Sequence, residues 1–385
     1  MPTNVDEVIA RILRLFDEDK FTEARALLTS IRHQIHPGVY EYNVALIVAR
    51  VGKMQEALEH FERAIAECPN DPRFHWGMSL AALAAGNFER GWKEFEWRLK
   101  LDNGWQRDFL QPQWTGQEDL TGKTILLHAE GGLGDALQFV RYVPMFVQKA
   151  GTVILECQPG LVPLFSGGFP GLASVYPRGP IVPQFDYHCP LQSLPRAFGT
   201  TLRTIPKNVP YLAAPAARLQ AWHEKLGPPT GARVGLVWCG SGNRQPKRSR
   251  TLATFAPFNS VPGIEFHSLQ AGPEAAEERP AGMTVIDHAA ELTDFVETAA
   301  LASQMDLIIS VDTSVAHLAG ALARETWVLL AWDPDFRWLR ERDDSPWYPT
   351  MRLFRQAKLV EHWDKVVEQI VKALGKWMAA RKNVK

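Results

Sequence analysis

The apolar positions of this 385-residue chain follow two regimes that meet near residue 120. Over the first hundred residues they keep helical spacing, and the pattern itself repeats. Phe21, Met54 and Phe88 stand 33 and 34 residues apart, as do Ala24, Ala57 and Gly91. Gly52 and Gly86 close the shorter turns, Phe61 matches Phe95, and Pro37 corresponds to the Asp71-Pro72 turn. A small residue at Ala57 or Gly91 permits close helix approach, and the aromatic residue four positions on fills the gap between paired helices. The pattern predicts stacked helix pairs, two of them clear and an N-terminal one degenerate.

From Gly122 short apolar runs of strand length alternate with helical patterns. Strands are predicted over 124–128, 152–156, 173–176 and 185–188, with helices over 135–149 and 191–198. A second series has strands over 233–238, 264–269, 283–286, 306–311, 326–332 and 351–354. Its helices fall near 216–226, 294–304 and 314–323, and an amphipathic helix near 359–379 closes the chain. Such alternation predicts two parallel sheets wound by helices. Pro206, Pro210 and Pro215 mark the crossing between them. Residues 101–121, with Trp105 and Trp114 and little Gly, Ser or Pro, read as a packed connector. The expected division is 1–104 helical repeats, 105–121 connector, 122–212 first α/β lobe, 213–358 second lobe and 359–385 closing helix.

Composition narrows the function. A 46% hydrophobic and 22% charged chain of net charge -1 is globular and has no global attraction for nucleic acid or an anionic membrane. Any phosphate binding must therefore be local. No run of eighteen apolar residues predicts a membrane span, and the start Met1-Pro2-Thr3-Asn4 lacks the basic and apolar regions of a signal peptide. Cys68, Cys157, Cys189 and Cys239 have no paired spacing, which points to reduced thiols, a cytoplasmic location and no zinc site.

Three segments carry candidate chemistry. Thr124–His128 runs into Glu130-Gly131-Gly132-Leu133-Gly134-Asp135, a strand, a tight turn and a helix start. The glycines allow positive φ and close ligand approach. Asp135 opens the helix, either as a plain cap or facing a cleft, and Gln138, Arg141 and Tyr142 follow it with an unusual polar character. Leu307–Val311 runs into Asp312-Thr313-Ser314, whose helix N-terminus favours a phosphate, with His317 one turn on, as a packed histidine or a ligand contact. Cys239–Arg250 contains Arg244, Lys247, Arg248 and Arg250 and no acid, a local basic patch of the kind a diphosphate needs when no metal is present. Asp333-Pro334-Asp335 has the spacing of a metal-binding D-x-D, but the proline and Arg337 favour a turn with an internal salt bridge.

The repeat resembles the tetratricopeptide repeat, whose stacked pairs form a concave surface for peptides or proteins. Residues 132–142, 235–238 with the basic loop, and 310–320 resemble the ADP-heptose:lipopolysaccharide heptosyltransferases, glycosyltransferase family 9. The combination with repeats is similar in architecture to the O-linked N-acetylglucosamine transferases. The resemblance implies an N-terminal repeat domain followed by two Rossmann-like lobes of GT-B type, with Asp135 as catalytic base. It implies that Gly132, Gly134, Lys247, Arg248, Thr313 and Ser314 hold the donor diphosphate and that Asp312 and His317 contact the donor sugar. Gln138 and Arg141 would face the acceptor. GT-B enzymes of this kind work without metal or other cofactor. The expected activity is inverting transfer from a nucleotide-sugar to a protein or peptide in the repeat groove. The alternatives are transfer to a saccharide or lipopolysaccharide precursor, and a non-catalytic adaptor.

Overall fold

In the computed structural model the structure describes residues 5–102, 107–147, 149–169, 172–179, 183–240, 248–359 and 362–382. Six helices come first: α1 (Val5–Asp17), α2 (Phe21–Ser30), α3 (Pro37–Arg50), α4 (Met54–Glu67), α5 (Pro72–Ala84) and α6 (Phe88–Phe95). They pack as three consecutive pairs. Phe21, Met54 and Phe88 each open the second helix of a pair, which is why they recur. Pro37 and Pro72 stand at the first helical position, where their missing N–H costs nothing, and His36 and Asp71 cap from just before them. The small positions are required by contact: a Cβ on Gly91 would lie 2.6 Å from the Leu83 side chain, and one on Gly77 would lie 2.5 Å from Phe61.

The chain forms two compact units. Met1–Asp108 is joined in the first by Phe198–Thr204 and Asp333–Glu341, two segments the sequence reading leaves in the lobes. Phe336 sets its ring edge-on to Trp92 and Phe95, each at 5.8 Å, covering the apolar end of the last helix pair. Asp333 is held by Arg50 and Arg340, while Asp335 caps the following turn and pairs with Arg337 at 2.8 Å. The D-x-D carboxylates therefore serve as anchors of a cap on the repeat stack, the device that repeat arrays need at their ends.

The second unit comprises Phe109–Ala197, Ile205–Trp332 and Arg342–Lys385. Its first sheet contains β1 (Thr124–His128), β2 (Thr152–Cys157), β3 (Ser174–Pro177) and β4 (Tyr187–Pro190), all parallel, in the order β3-β2-β1-β4. The helix predicted over 135–149 is in fact α7 (Leu133–Phe139), a 3-10 turn at Val140–Tyr142, and α8 (Val143–Val147). Pro144 lacks the N–H that would continue the ladder, so the helix breaks there. The segment at 191–198 is likewise a 3-10 turn followed by a short helix, with Pro195 inside it; α9 (Val162–Ser166) and α10 (Leu194–Ala197) complete the lobe.

The second sheet is built from β5 (Ala232–Val237), β6 (Ile264–Ser268), β7 (Val285–Ile286), β8 (Leu307–Val311), β9 (Thr326–Leu330) and β10 (Met351–Arg355). Its parallel order is β10-β9-β8-β5-β6-β7, the doubly wound arrangement in which the first strand lies centrally. The helices are α11 (Ala216–Leu226), α12 (Phe295–Ala302), α13 (Ser314–Ala321) and α14 (Trp363–Lys382). The closing helix starts later than its apolar pattern predicts. Val366, Ile370 and Leu374 of α14 enter the core of this lobe with Leu236 and Ile309.

One buried pair makes this lobe acid-sensitive. His267 Nδ1 lies 3.0 Å from His288 Nε2, the rings stacked 7° from parallel. Burial, reinforced by His288, pushes His267 down to about 4, against the pull of Glu265 at 3.9 Å. Burial also lowers His288. The folded chain thus binds protons later than the unfolded one. Stability is complete above about pH 6.5 and falls as the pH drops towards 4. His267 alone accounts for a loss of roughly 2 kcal/mol between pH 7.5 and 5. Urea midpoints at these two pH values should show the loss, and His267→Gln should reduce it; an identical pH response in that variant would place the acid sensitivity elsewhere.

Candidate functional site

The turn after β1 is held from three sides. Gly131 has φ +69°, and a Cβ there would stand 2.5 Å from Asp135 Oδ2. The Gly132 N–H donates to Asp135 Oδ2 at 2.7 Å. Gln158, just past β2, donates through Nε2 to the Gly131 and Gly132 carbonyls at 3.1 and 3.3 Å, and Gln192, just past β4, donates to Glu130 O at 3.4 Å. Neither glutamine is identified by sequence reasoning; the one available signal is that each directly follows a strand end. Asp135 is half-buried and is the third residue of α7, not its first, so its carboxylate reaches back to the turn.

Several expectations are corrected by this geometry. The Gly132 N–H, taken by Asp135, is not available to a diphosphate. Gly134 is a packing position: a Cβ there would lie 2.9 Å from His317 Cδ2 and 3.6 Å from Ser314 Cα, so this glycine lets α7 approach α13. Gln138 is fully buried and does not reach an acceptor. Arg141 is 3% exposed and also cannot face one. It donates to Gln138 O (2.7 Å), Trp347 O (2.7 Å), Pro206 O (3.3 Å) and Tyr211 Oη (3.1 Å), and lies over the Tyr211, Trp347 and Tyr348 rings. His317 is 5% exposed, its Nδ1 3.0 Å from Tyr348 Oη, which places it as a packed ring rather than one presented to a sugar. Burial holds the Tyr348 phenol well above its ordinary value, so it stays neutral.

On the second lobe, Thr313 is the extended residue before α13 and makes no side-chain cap; its Oγ1 lies 3.2 Å from Ser310 Oγ. Asp312, nearly buried, forms an ion pair with Arg248 at 3.5 Å. The carboxylate expected to meet a sugar is therefore spent on placing a guanidinium beside the start of α13. Lys247, like Ser241–Gln245, lies outside the described residues.

A cleft of about 210 Å³ opens where the order of the second sheet reverses, at the carboxyl ends of its strands. That is where doubly wound sheets bind ligands. Val237, Leu269 and Gln270 line it from the ends of β5 and β6, Asp294 and Phe295 from the start of α12, and Thr313 and Ser314 from the start of α13. Leu133 and Gly160 of the first lobe complete it. Gln270 Oε1 accepts from the N–H groups of Trp238 (3.2 Å) and Cys239 (3.0 Å) and so shapes this wall. The α12 wall is absent from the sequence reading because its residues spell an ordinary helix cap. Among the described residues, no group of three His, Cys, Asp or Glu is arranged to hold a metal ion, and no helix is long and apolar enough to cross a membrane.

Two doubly wound lobes meeting at such a cleft define the GT-B glycosyltransferase fold. The glycosyl transferase family 9 structure from Veillonella parvula superposes with a TM-score of 0.51 at 11% identity, over 69% of this chain and 99% of that one. The ADP-heptose lps heptosyltransferase II of E. coli has a TM-score of 0.46 at 12% identity, over 66% and 99%, a value too low to add to the assignment. In sequence the chain is similar to Protein FlbA of Caulobacter vibrioides, 28% identical over 382 residues. That match takes in 88% of this chain and 61% of the relative's length. No family model matches the chain.

Proposed function

We propose that the protein is an inverting, metal-independent glycosyltransferase that moves a sugar from a nucleotide-sugar to a hydroxyl of a protein or peptide. The supporting observation is the meeting of the Asp135 helix with the uncapped start of α13, beside Arg248, at the switch-point cleft. In this reading the acceptor oxygen attacks the anomeric carbon and gives its proton to Asp135. The bond from that carbon to the diphosphate breaks, and its electron pair leaves with the nucleoside diphosphate. Arg248, Lys247 and the N–H groups of Thr313 and Ser314 neutralise the departing charge. The three helix pairs, read as tetratricopeptide repeats, recruit the acceptor, and the reaction takes place in the cytoplasm. The family 9 fold neighbour leaves nearly a third of this chain unmatched, which leaves room for a module with its own task.

Thermal denaturation with ADP, GDP, UDP, CDP and TDP, with and without EDTA, tests the donor site. At least one nucleotide should raise the melting temperature by several degrees regardless of EDTA. No response to any would favour an adaptor without a donor site. With the donor chosen, labelled sugar should appear in precipitated protein; label confined to free saccharide would move the acceptor to a saccharide precursor.

A further inference from the structure

The two helix starts in the cleft are chemically opposite. α13 begins without a side-chain cap and has Arg248 nearby, which suits an anion. α12 begins at Asp294, whose Oδ1 already accepts from the N–H groups of Val296 (2.8 Å) and Glu297 (3.0 Å). Its donors are satisfied by the chain's own carboxylate, and a phosphate there would meet a negative charge. Asp294 is the one charged side chain among the described residues lining the cleft. A carboxylate with one oxygen fixed on a helix keeps its second oxygen as an acceptor for hydroxyl groups. The adjoining Leu292 and Phe295 offer an apolar surface to a flat ring.

We infer that Asp294 binds the ribose diol of the donor, so that the substrate is a ribonucleoside diphosphate sugar and not a 2′-deoxyribonucleoside one. The inference rests on the glycosyltransferase reading above. It orients the donor in the cleft, with the diphosphate at α13 and the nucleoside at α12. Removing the 2′-hydroxyl takes away a hydrogen bond to a charged group, which corresponds to roughly 10- to 100-fold weaker binding.

The test is calorimetric titration of the full chain with ADP, GDP, UDP and CDP and with their 2′-deoxy counterparts. The nucleotide that binds best should lose about 10- to 100-fold on 2′-deoxygenation. Asp294→Ser keeps a good helix cap but loses the second oxygen, and should bring the ribo-to-deoxyribo ratio to within about threefold. Should that variant not fold, Asp294→Asn keeps both cap and shape and should still lower the ratio. Equal affinities in the unaltered chain, or an undiminished ratio in the folded variant, would overturn the role of Asp294 alone. Binding of none of the eight nucleotides would overturn the donor-site reading and this inference with it.

Discussion

Asp135→Ala lowers sugar transfer by about 10²- to 10⁴-fold, the usual share of a positioned general base, while nucleoside diphosphate affinity stays within about twofold. The separation follows from where the carboxylate sits. Oδ2 is committed to the Gly132 N–H, so accepting a proton falls to Oδ1, and the diphosphate contacts lie on the other lobe. Asp135→Asn sharpens the test, because an amide oxygen can still accept from Gly132 while the group can no longer take a proton. Both variants should therefore lose rate, with the turn better preserved in the amide. Initial rates with the donor chosen by nucleotide binding, alongside calorimetry of the same variants, give the two readouts. A transfer rate within threefold of the parent in both would place the base elsewhere.

Arg141→Ala should be the most destabilising single change named here, at about 3–5 kcal/mol and about 10 °C in melting temperature. Burying a guanidinium is costly, and the partners identified for it are neutral. Burial works against its charge, but the oxygens of Tyr211 and Tyr348 outweigh this and leave its pKa above the ordinary arginine value. Truncation removes the donor to Trp347 O and Gln138 O and opens a void beneath three aromatic rings. Each buried acceptor left without a donor costs about 1–3 kcal/mol, and lost packing adds to it. Arg141→Lys should fall between, since one ammonium cannot reach all four oxygens. Thermal unfolding decides the matter: an unchanged midpoint with impaired transfer would return Arg141 to the acceptor side.

The burial of Arg141 and Gln138 could not be read from their spacing. The polar face running from Asp135 to Tyr142 looks solvent-directed when only one helix is considered. Tyr211 from the inter-lobe crossing and Trp347 and Tyr348 from near the end of the second lobe are what enclose it. The D-x-D segment misleads for the same reason, since the Arg50 that meets Asp333 belongs to a helix in another part of the chain.

Local signals were sufficient for the helix pairs, for most strands, and for both strand–turn–helix corners, because glycine, cap residues and apolar period act within a few positions of themselves. Asp135, Thr313 and Ser314 were legible for that reason. The roles of Gln158, Gln192 and Asp294 depend on parallel strands bringing separate loops to one sheet edge, and the packed state of His317 depends on the second lobe meeting α7 at Gly134. Such contacts join residues far apart in the chain, and spacing along one element carries no information about what will cover it.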